Sequence, residues 1–189
     1  MKVSPPIIKS KYGEKEALLE AAEFMLIAAR TAPKTAGIDD ILTLIVYGEE
    51  KDRIANKMEE MAEERNSEGF RRDAKNVKDS EAVVLIGVRG SKSAGINCGA
   101  CGFKDCAKFE KAKKKLGQDF VGSTCLFKAL DLGIALGSAA KTASLLNVDN
   151  RIMYRIGTAA LKLKMLPEAT VVMGIPISAK GKNIYFDRR

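Results

Sequence analysis

The sequence predicts an α+β fold in which helices cover a sheet. Three short apolar runs rich in β-branched residues indicate buried strands: residues 41–46 (ILTLIV), 82–88 (AVVLIGV) and 170–175 (TVVMGI). The stretches between these runs carry apolar residues at helical spacing. A length of 189 residues fits one domain, 1–189, with a sizeable core and one insertion.

The first helix is predicted over residues 14–30. Residues 1–12 are predicted to be extended or irregular, because Pro5 and Pro6 oppose helix. The second half of the helix, FMLIAA, is apolar nearly all round, which is typical of a buried helix. It should end at Thr31-Ala32-Pro33, since the residue before a proline avoids the helical region. Strand 41–46 follows.

The remaining elements follow from the same two patterns. Residues 51–66 have an amphipathic helical pattern, and a short helix over 71–77 leads into strand 82–88. Beyond a cysteine-containing segment, residues 90–125, we expect helices over 125–146 and 151–164, strand 170–175, and a short edge strand at 183–186 (NIYF).

Composition narrows the classes of function. The formal charge of +8 comes partly from residues 104–115 (KDCAKFEKAKKK) and partly from the tail. Nucleic-acid binding through the lysine-rich residues 108–115 is one hypothesis, but the scarcity of aromatic residues among the basic ones disfavours it. The absence of histidine excludes imidazole catalysis and histidine-ligated metals. Neither a membrane span nor a signal peptide is predicted, so we expect a cytoplasmic protein.

All four cysteines of the chain lie in one stretch, with the spacing Cys-x2-Cys-x4-Cys-x18-Cys. Each corner of a four-iron, four-sulfur cluster takes one thiolate, so this set predicts a [4Fe-4S] cluster on Cys98, Cys101, Cys106 and Cys125. Gly99 and Gly102 would allow backbone N–H groups to approach the sulfurs.

The N-termini of two helices, one short and one long, should face the cluster. One helix should begin near residues 104–105 and end at Gly117, and the other should begin at Cys125 with Ser123 or Thr124 as its cap.

Two alternatives to the cluster remain open. Structural zinc usually takes two closely spaced cysteine pairs, whereas Cys106 and Cys125 are 19 positions apart. A redox-active disulfide between Cys98 and Cys101 would leave the other two cysteines without a role. The spacing favours the cluster over both.

The cysteine run CGACGFKDCA, followed by a basic helix, a glycine and a fourth cysteine, resembles the small four-cysteine cluster domain of electron-transport complexes and corrinoid iron–sulfur proteins. The stretches AARTAP, DLGIALGSAAKTASLLNV and TVVMGIPISAKGKNIYFDR resemble nitroreductase-type flavoproteins. The whole chain is similar to the uncharacterised bacterial and archaeal family that contains a ferredoxin domain. This resemblance implies a nitroreductase-like fold with helices around a mixed sheet, and a homodimer.

The resemblance also implies FMN as a cofactor. It carries flavin contacts onto Pro33, Lys34, Thr35 and Gly37, and phosphate contacts onto tail residues: Lys180, Lys182 and Arg188. The chain departs from these flavoproteins in two respects. Residues 1–14 lack their Arg-Arg-Ser-x-Arg phosphate grip, and Pro33-Lys34-Thr35-Ala36-Gly37 replaces their Pro-Ser-x-x-Asn step.

Two functions of different classes follow. The first is an electron-transferring iron–sulfur oxidoreductase that exchanges single electrons with a redox partner protein or a small-molecule donor. The second is a non-catalytic interaction or sensing protein in which a cluster or zinc ion only stabilises the fold.

Overall fold

A computed structural model describes residues 7–186 of the chain. Its helices are α1 (Ser10–Thr31), α2 (Gly48–Glu64), α3 (Glu68–Lys78), α4 (Cys106–Lys111), α5 (Leu126–Leu145) and α6 (Tyr154–Lys162). Its strands are β1 (Ile41–Tyr47), β2 (Ala82–Val88), β3 (Lys115–Leu116), β4 (Val121–Gly122), β5 (Asp149–Asn150) and β6 (Val171–Ser178). The α+β class predicted from the sequence is confirmed.

The main sheet has four strands in the order β1-β2-β6-β5, and every pair in it is antiparallel. The expectation of a mixed sheet is therefore not met within the described residues. β1 ends at Tyr47 opposite Ala82, where β2 begins. The α2–α3 helix pair thus returns the chain to the end of the sheet that it left, which makes the two strands antiparallel.

Each face of the sheet has its own hydrophobic core, because alternate residues of β2 point to opposite sides. Val83 and Leu85 pack with α2, α3 and α6, whereas Val84 and Ile86 pack with α1 and α5. Every residue of β2 is buried, as expected for a central strand. Helix α6 lies so close to β6 that a Cβ added at Gly157 would be 1.7 Å from the carbonyl oxygen of Val172.

Two predictions about the ends of the chain were wrong. Helix α1 already begins at Ser10, so residues 10–12 are helical, while residues 1–6 lie outside the described part. Residues 183–186 form no strand, because β5 occupies the place beside β6.

Side chains hold the tail instead. Arg151 Nη1 donates to the carbonyl of Tyr185 at 2.7 Å, and Asn183 Nδ2 donates to Asp149 Oδ1 at 2.9 Å. Within residues 7–186, no helix has both the length and the apolar composition needed to cross a bilayer.

Candidate metal centre and its surroundings

The two ends of the cysteine segment, residues 90–125, meet at the end of the sheet where the inner strand β2 finishes and the inner strand β6 begins. The amide of Cys125 donates to the carbonyl of Gly90 at 2.9 Å, and the amide of Gly90 donates to Thr170 Oγ1 at 2.9 Å. A Cβ at Gly90 would lie 2.5 Å from Thr124 Cγ2 and 2.5 Å from Thr170 Oγ1, so this junction requires glycine. The segment thus leaves the fold and returns to it at one point.

The turn that carries the first three cysteines uses left-handed backbone. Asn97, Gly99 and Gly102 have φ values of 55°, 72° and 83°. The amide of Asn97 donates to Cys106 Sγ at 3.3 Å, and the amide of Cys106 donates to Asn97 Oδ1 at 2.8 Å. A backbone N–H therefore reaches a cysteine sulfur, as expected. Its donor is Asn97, which sequence reasoning missed, although asparagine adopts left-handed backbone more readily than most residues.

Helix α4 begins where it was predicted and ends early. Asp105 is its N-cap, with Oδ1 accepting from the amide of Lys108 at 2.8 Å. The prediction that Gly117 ends this helix was wrong, because α4 ends at Lys111 and Gly117 lies in the β3–β4 hairpin. The ammonium of Lys114 lies 3.5 Å from the centre of the Phe109 ring and donates to the Phe109 carbonyl, which satisfies an acceptor at the helix end.

Cys125 is itself the N-cap residue of the 20-residue helix α5. The prediction that Ser123 or Thr124 caps this helix was wrong, because no side chain caps it and Thr124 Oγ1 instead donates to the Val121 carbonyl at 3.4 Å. Cys125 is therefore next to the positive end of the α5 dipole, which favours an anionic group there.

Part of the cysteine set shares an apolar environment. Cys125 is only 6% exposed and forms a small core with Ala94 and Phe109. Cys101, Phe103 and Phe127 pack against this core. Cys106 is half-buried, and Cys98 is exposed. The structure thus brings Cys101 and Cys125 into one dry cluster and leaves Cys98 at the surface.

The four cysteines are the possible ligands of either a zinc ion or an iron–sulfur cluster. Among the described residues 7–186, no group of three or more cysteine, aspartate, glutamate or histidine side chains lies close enough to hold one metal ion. A zinc ion requires its ligands about 2.3 Å from a common point. A four-iron cluster binds each thiolate at a separate corner, so it takes a wider set of sulfurs. The donors present, four thiols with an amide near one of them and apolar walls, are of the kind that hold an iron–sulfur cluster.

The loop expected to bind flavin follows α1. Thr35 and Gly37 lie in a short 3-10 turn, Thr35–Gly37. The Lys34 ammonium donates to the carbonyls of Ala29, at 2.8 Å, and Arg30, so it closes the end of α1. Burial lowers the pKa of Lys34 below its ordinary value.

Thr35 donates from both its amide and its hydroxyl to Asp131 Oδ1, each at 2.8 Å. The side chains of Lys34 and Thr35 are therefore occupied within the fold.

A buried set of charges lies between this loop and the cysteine segment. The ammonium of Lys128, fully buried, is 3.0 Å from Asp40 Oδ2 and 3.9 Å from Asp131 Oδ2, and it donates to the Ile38 carbonyl at 3.1 Å. Lys92, in the cysteine segment, is 3.5 Å from Asp40 Oδ1. Sequence reasoning missed this set, although a lysine and an aspartate three positions apart in an apolar helix are a detectable signal.

The basic tail residues occupy different places. Lys180 pairs with Glu81 at 2.8 Å, and Lys182 is exposed after β6. Arg188 lies outside the described residues. The described tail bonds to β5 and its neighbours, whereas the Thr35–Gly37 turn bonds to α5, so the two expected parts of a flavin site are held by different elements.

The fold matches solved nitroreductase-type structures. An oxidoreductase containing FMN aligns with a TM-score of 0.55 at 16% identity, covering 86% of this chain and 67% of that one. Nitroreductase A from Vibrio parahaemolyticus aligns with a TM-score of 0.52 at 15% identity, covering 99% of this chain and 64% of that one. Fold and site together define a nitroreductase-like α+β protein with a four-cysteine segment between β2 and α5.

Two sequence comparisons bear on the family of the chain. A family model described as "Uncharacterized protein containing a ferredoxin domain" matches residues 121–188. A protein of Archaeoglobus fulgidus, described as "Uncharacterized protein", is 52% identical over 182 residues, covering 96% of this chain and 97% of the relative. The chain belongs to this family of ferredoxin-domain proteins, which confirms the resemblance seen in the sequence.

Proposed function

We propose that this protein is a redox protein that carries one [4Fe-4S] cluster on Cys98, Cys101, Cys106 and Cys125 and transfers single electrons. The observation that carries the proposal is the complete set of four cysteines in one segment, 90–125, whose ends are joined by the Cys125–Gly90 hydrogen bond. We propose that this segment is an insertion in a single domain that spans residues 1–189. When bound, the cluster supplies a reversible one-electron couple.

The chain's own residues would set the conditions for that couple. Phe103, Phe109 and Phe127 keep water from the side of Cys101 and Cys125. The Asn97 amide donates to the Cys106 sulfur, and such donors stabilise negative charge on a cluster. The N-terminus of α5 adds partial positive charge beside Cys125. The Asn97 amide and the α5 N-terminus favour the reduced, more negative state of the centre, whereas the exclusion of water by the three phenylalanines disfavours it.

FMN is the second cofactor that the fold suggests. The contacts proposed are those of Pro33, Lys34, Thr35, Gly37, Lys182 and Arg188. Because the Lys34 and Thr35 side chains already bond within the fold, the loop would offer a flavin mainly its backbone. The same observation favours the second candidate function, a non-catalytic protein in which the metal centre only stabilises the fold.

We further propose that the protein is a homodimer in the cytoplasm. Helices α1 and α5 pack against each other and expose apolar side chains: Phe24, Ile27, Leu126, Leu130 and Ile134. A second copy that covers these residues would remove them from water. Four free thiols also require a reducing compartment if they are to bind iron.

Anaerobic purification followed by an absorption spectrum and iron and sulfide analysis tests the proposal. We expect broad absorption near the visible range with about four irons and four sulfides per chain. Flavin, if bound, adds its own resolved bands to the same spectrum. A colourless protein that contains zinc and no iron would disprove the cluster.

Ligand variants sharpen this test. Replacing any one ligand, for example Cys98→Ser or Cys101→Ser, should lower the iron content, because an iron corner without its thiolate is labile. Ser91→Ala, in the same segment but not a ligand, is the matched control and should load iron normally. Equal iron content in all three variants would contradict the assignment. A loaded cluster that no electron donor reduces would support the non-catalytic alternative.

A further inference from the structure

The cysteine segment carries a strongly basic surface that the proposed cluster chemistry does not by itself require. We propose that this surface docks an acidic protein electron carrier, so that the carrier exchanges one electron with the cluster at the exposed Cys98 side. This inference rests on the proposed function and adds the class of its partner. The name "lysine surface" is used below for five exposed residues: Lys104, Lys108, Lys111, Lys113 and Lys115.

The charge of the segment is concentrated. Residues 90–125 hold seven lysines and three acidic residues, a net charge of +4, which is half of the +8 carried by the whole chain. The acidic residues all have partners within the fold. Asp105 caps α4, Glu110 accepts from the amide and hydroxyl of Ser93, and Asp119 pairs with Arg65 at 2.6 Å. The charge that remains available to a partner is positive.

The lysine surface also differs from the lysines elsewhere in the chain. None of its five members forms an ion pair with any residue that the structure describes. Outside the segment, Lys57, Lys75 and Lys180 each pair with a carboxylate within 2.8 Å. Five uncompensated ammonium groups within twelve residues produce a local positive potential that attracts an acidic partner.

The cysteine segment that carries these lysines also exposes apolar side chains. Leu116 is 79% exposed and Ile96 is 48% exposed, and Cys98 is exposed beside Ile96. Lys113 and Lys115 line one groove together with Leu116 and Thr124, directly before Cys125. An apolar centre with a charged rim is the usual composition of a protein interface.

The same surface fits a nucleic acid less well. Binding of single strands uses exposed aromatic rings on which bases stack. The segment's three phenylalanines, Phe103, Phe109 and Phe120, are all buried or half-buried. A folded acidic protein needs only complementary charge and apolar contact, and this surface offers both.

The electron transfer is balanced without a proton. A reduced [2Fe-2S] ferredoxin, chosen as the acidic carrier, loses one electron and becomes oxidised. A cluster held by the four cysteines would take up that electron, so one electron is lost by the carrier and one is gained at this segment. No bond is formed or broken, so the docking surface contributes only orientation and rate of encounter.

The test compares two triple variants with equal changes in net charge. The first, Lys104→Glu, Lys108→Glu and Lys111→Glu, reverses part of the lysine surface. The second, Lys9→Glu, Lys11→Glu and Lys15→Glu, reverses exposed lysines at the start of α1 and serves as the control. Binding of oxidised ferredoxin is measured by calorimetry, and reduction of the cluster by reduced ferredoxin is measured by stopped-flow absorbance.

At low ionic strength, we expect the first variant to bind ferredoxin with an affinity about tenfold lower than the wild type and to be reduced by it about tenfold more slowly. The control should stay within about twofold of the wild type in both measurements. Wild-type rates should also fall as salt is added. Dithionite, which needs no docking, should reduce all three proteins. If the proteins carry no iron, the proposed function itself fails.

Two results would overturn the docking inference alone. In the first, all three proteins carry a cluster that dithionite reduces, and ferredoxin binds and reduces both variants as well as it does the wild type. The other is salt-dependent binding of an RNA oligonucleotide that only the first variant loses, with ferredoxin kinetics unchanged.

Discussion

Replacing Lys128 by methionine tests the buried charge set most directly. Methionine keeps the length of the side chain and its apolar contacts but removes the ammonium. Asp40 and Asp131 are 4% and 1% exposed, so Asp131 would remain buried without a cation and Asp40 would keep only the exposed Lys92, at 3.5 Å. The Oδ2 atom of Asp131 already accepts no hydrogen bond from the described residues, which leaves Lys128 as its nearest compensation.

The size of the effect follows from the distances. With an effective dielectric constant of about 20, Coulomb's law gives roughly 5 kcal/mol of gross attraction for the 3.0 Å contact to Asp40 and roughly 4 kcal/mol for the 3.9 Å contact to Asp131. Desolvation of the charges offsets much of this attraction. Removing one partner of a buried ion pair costs about 3–5 kcal/mol of unfolding free energy. For a chain of this length, that lowers the melting temperature by roughly 6–20 °C.

Thermal unfolding followed by circular dichroism measures this change. Lys141→Met, in the same helix but exposed, is the matched control and should change the unfolding free energy by less than about 0.5 kcal/mol. The double variant Asp40→Asn and Lys128→Met leaves fewer uncompensated charges and should recover part of the loss. A melting temperature for Lys128→Met equal to that of Lys141→Met would refute the reasoning.

Two further predictions concern packing and pH. Gly157→Ala should destabilise the fold by about 3 kcal/mol, because its Cβ would lie 1.7 Å from the Val172 carbonyl oxygen. Gly137→Ala in α5 would place its Cβ where no atom lies within 4 Å, so it should stabilise the fold. Urea unfolding of both variants measures these changes. Burial raises the pKa of Tyr185 from 10.0 to about 12. The folded state therefore keeps a proton that the unfolded state loses, so the unfolding free energy should fall between pH 10 and pH 12 by up to about 3 kcal/mol. Tyr185→Phe should lack this component, and identical pH profiles for the two proteins would contradict it.

The elements that the sequence predicted well are those whose signal is local. The strand predicted at 82–88 matches β2, because a strand buried on both faces is an unbroken apolar run. The end of α1 was predicted from Pro33 alone, because the residue before a proline avoids the helical region. The edge strand at 183–186 was wrong because the place beside β6 depends on β5, which is far away in the chain.

In the candidate site, too, the sequence reveals local patterns but not the contacts between residues far apart in the chain. The cysteine spacing is visible in the sequence, and so is the presence of Lys128 and Asp131 in an apolar helix. Their partners are not, since Thr35 and Asp131 are 96 positions apart. The N-cap of α5 was assigned to Ser123 or Thr124 from residue preference, whereas the hydrogen bond from Cys125 to Gly90 places the cysteine itself there.

Cys125 should differ from Cys98 in what its loss does to the fold, because only Cys125 is part of the packed structure. Its amide bonds to Gly90, its side chain lies in an apolar core, and α5 begins immediately after it. Lys128 follows one turn later, and through Asp131 it connects with Thr35. A disturbance at Cys125 should therefore act on both the end of the inner strand β2 and the loop after α1.

Metal-stripped variants separate the two roles. In the stripped protein, Cys125→Ser places a hydroxyl among apolar side chains and should cost about 1–3 kcal/mol of unfolding free energy. Cys98→Ser, at an exposed position, should cost less than about 0.5 kcal/mol. Chemical unfolding after chelation measures both values, and iron analysis before chelation should show that both variants load poorly. Equal stabilities of the two stripped variants would mean that Cys125 serves only as a ligand and does not join the centre to the fold.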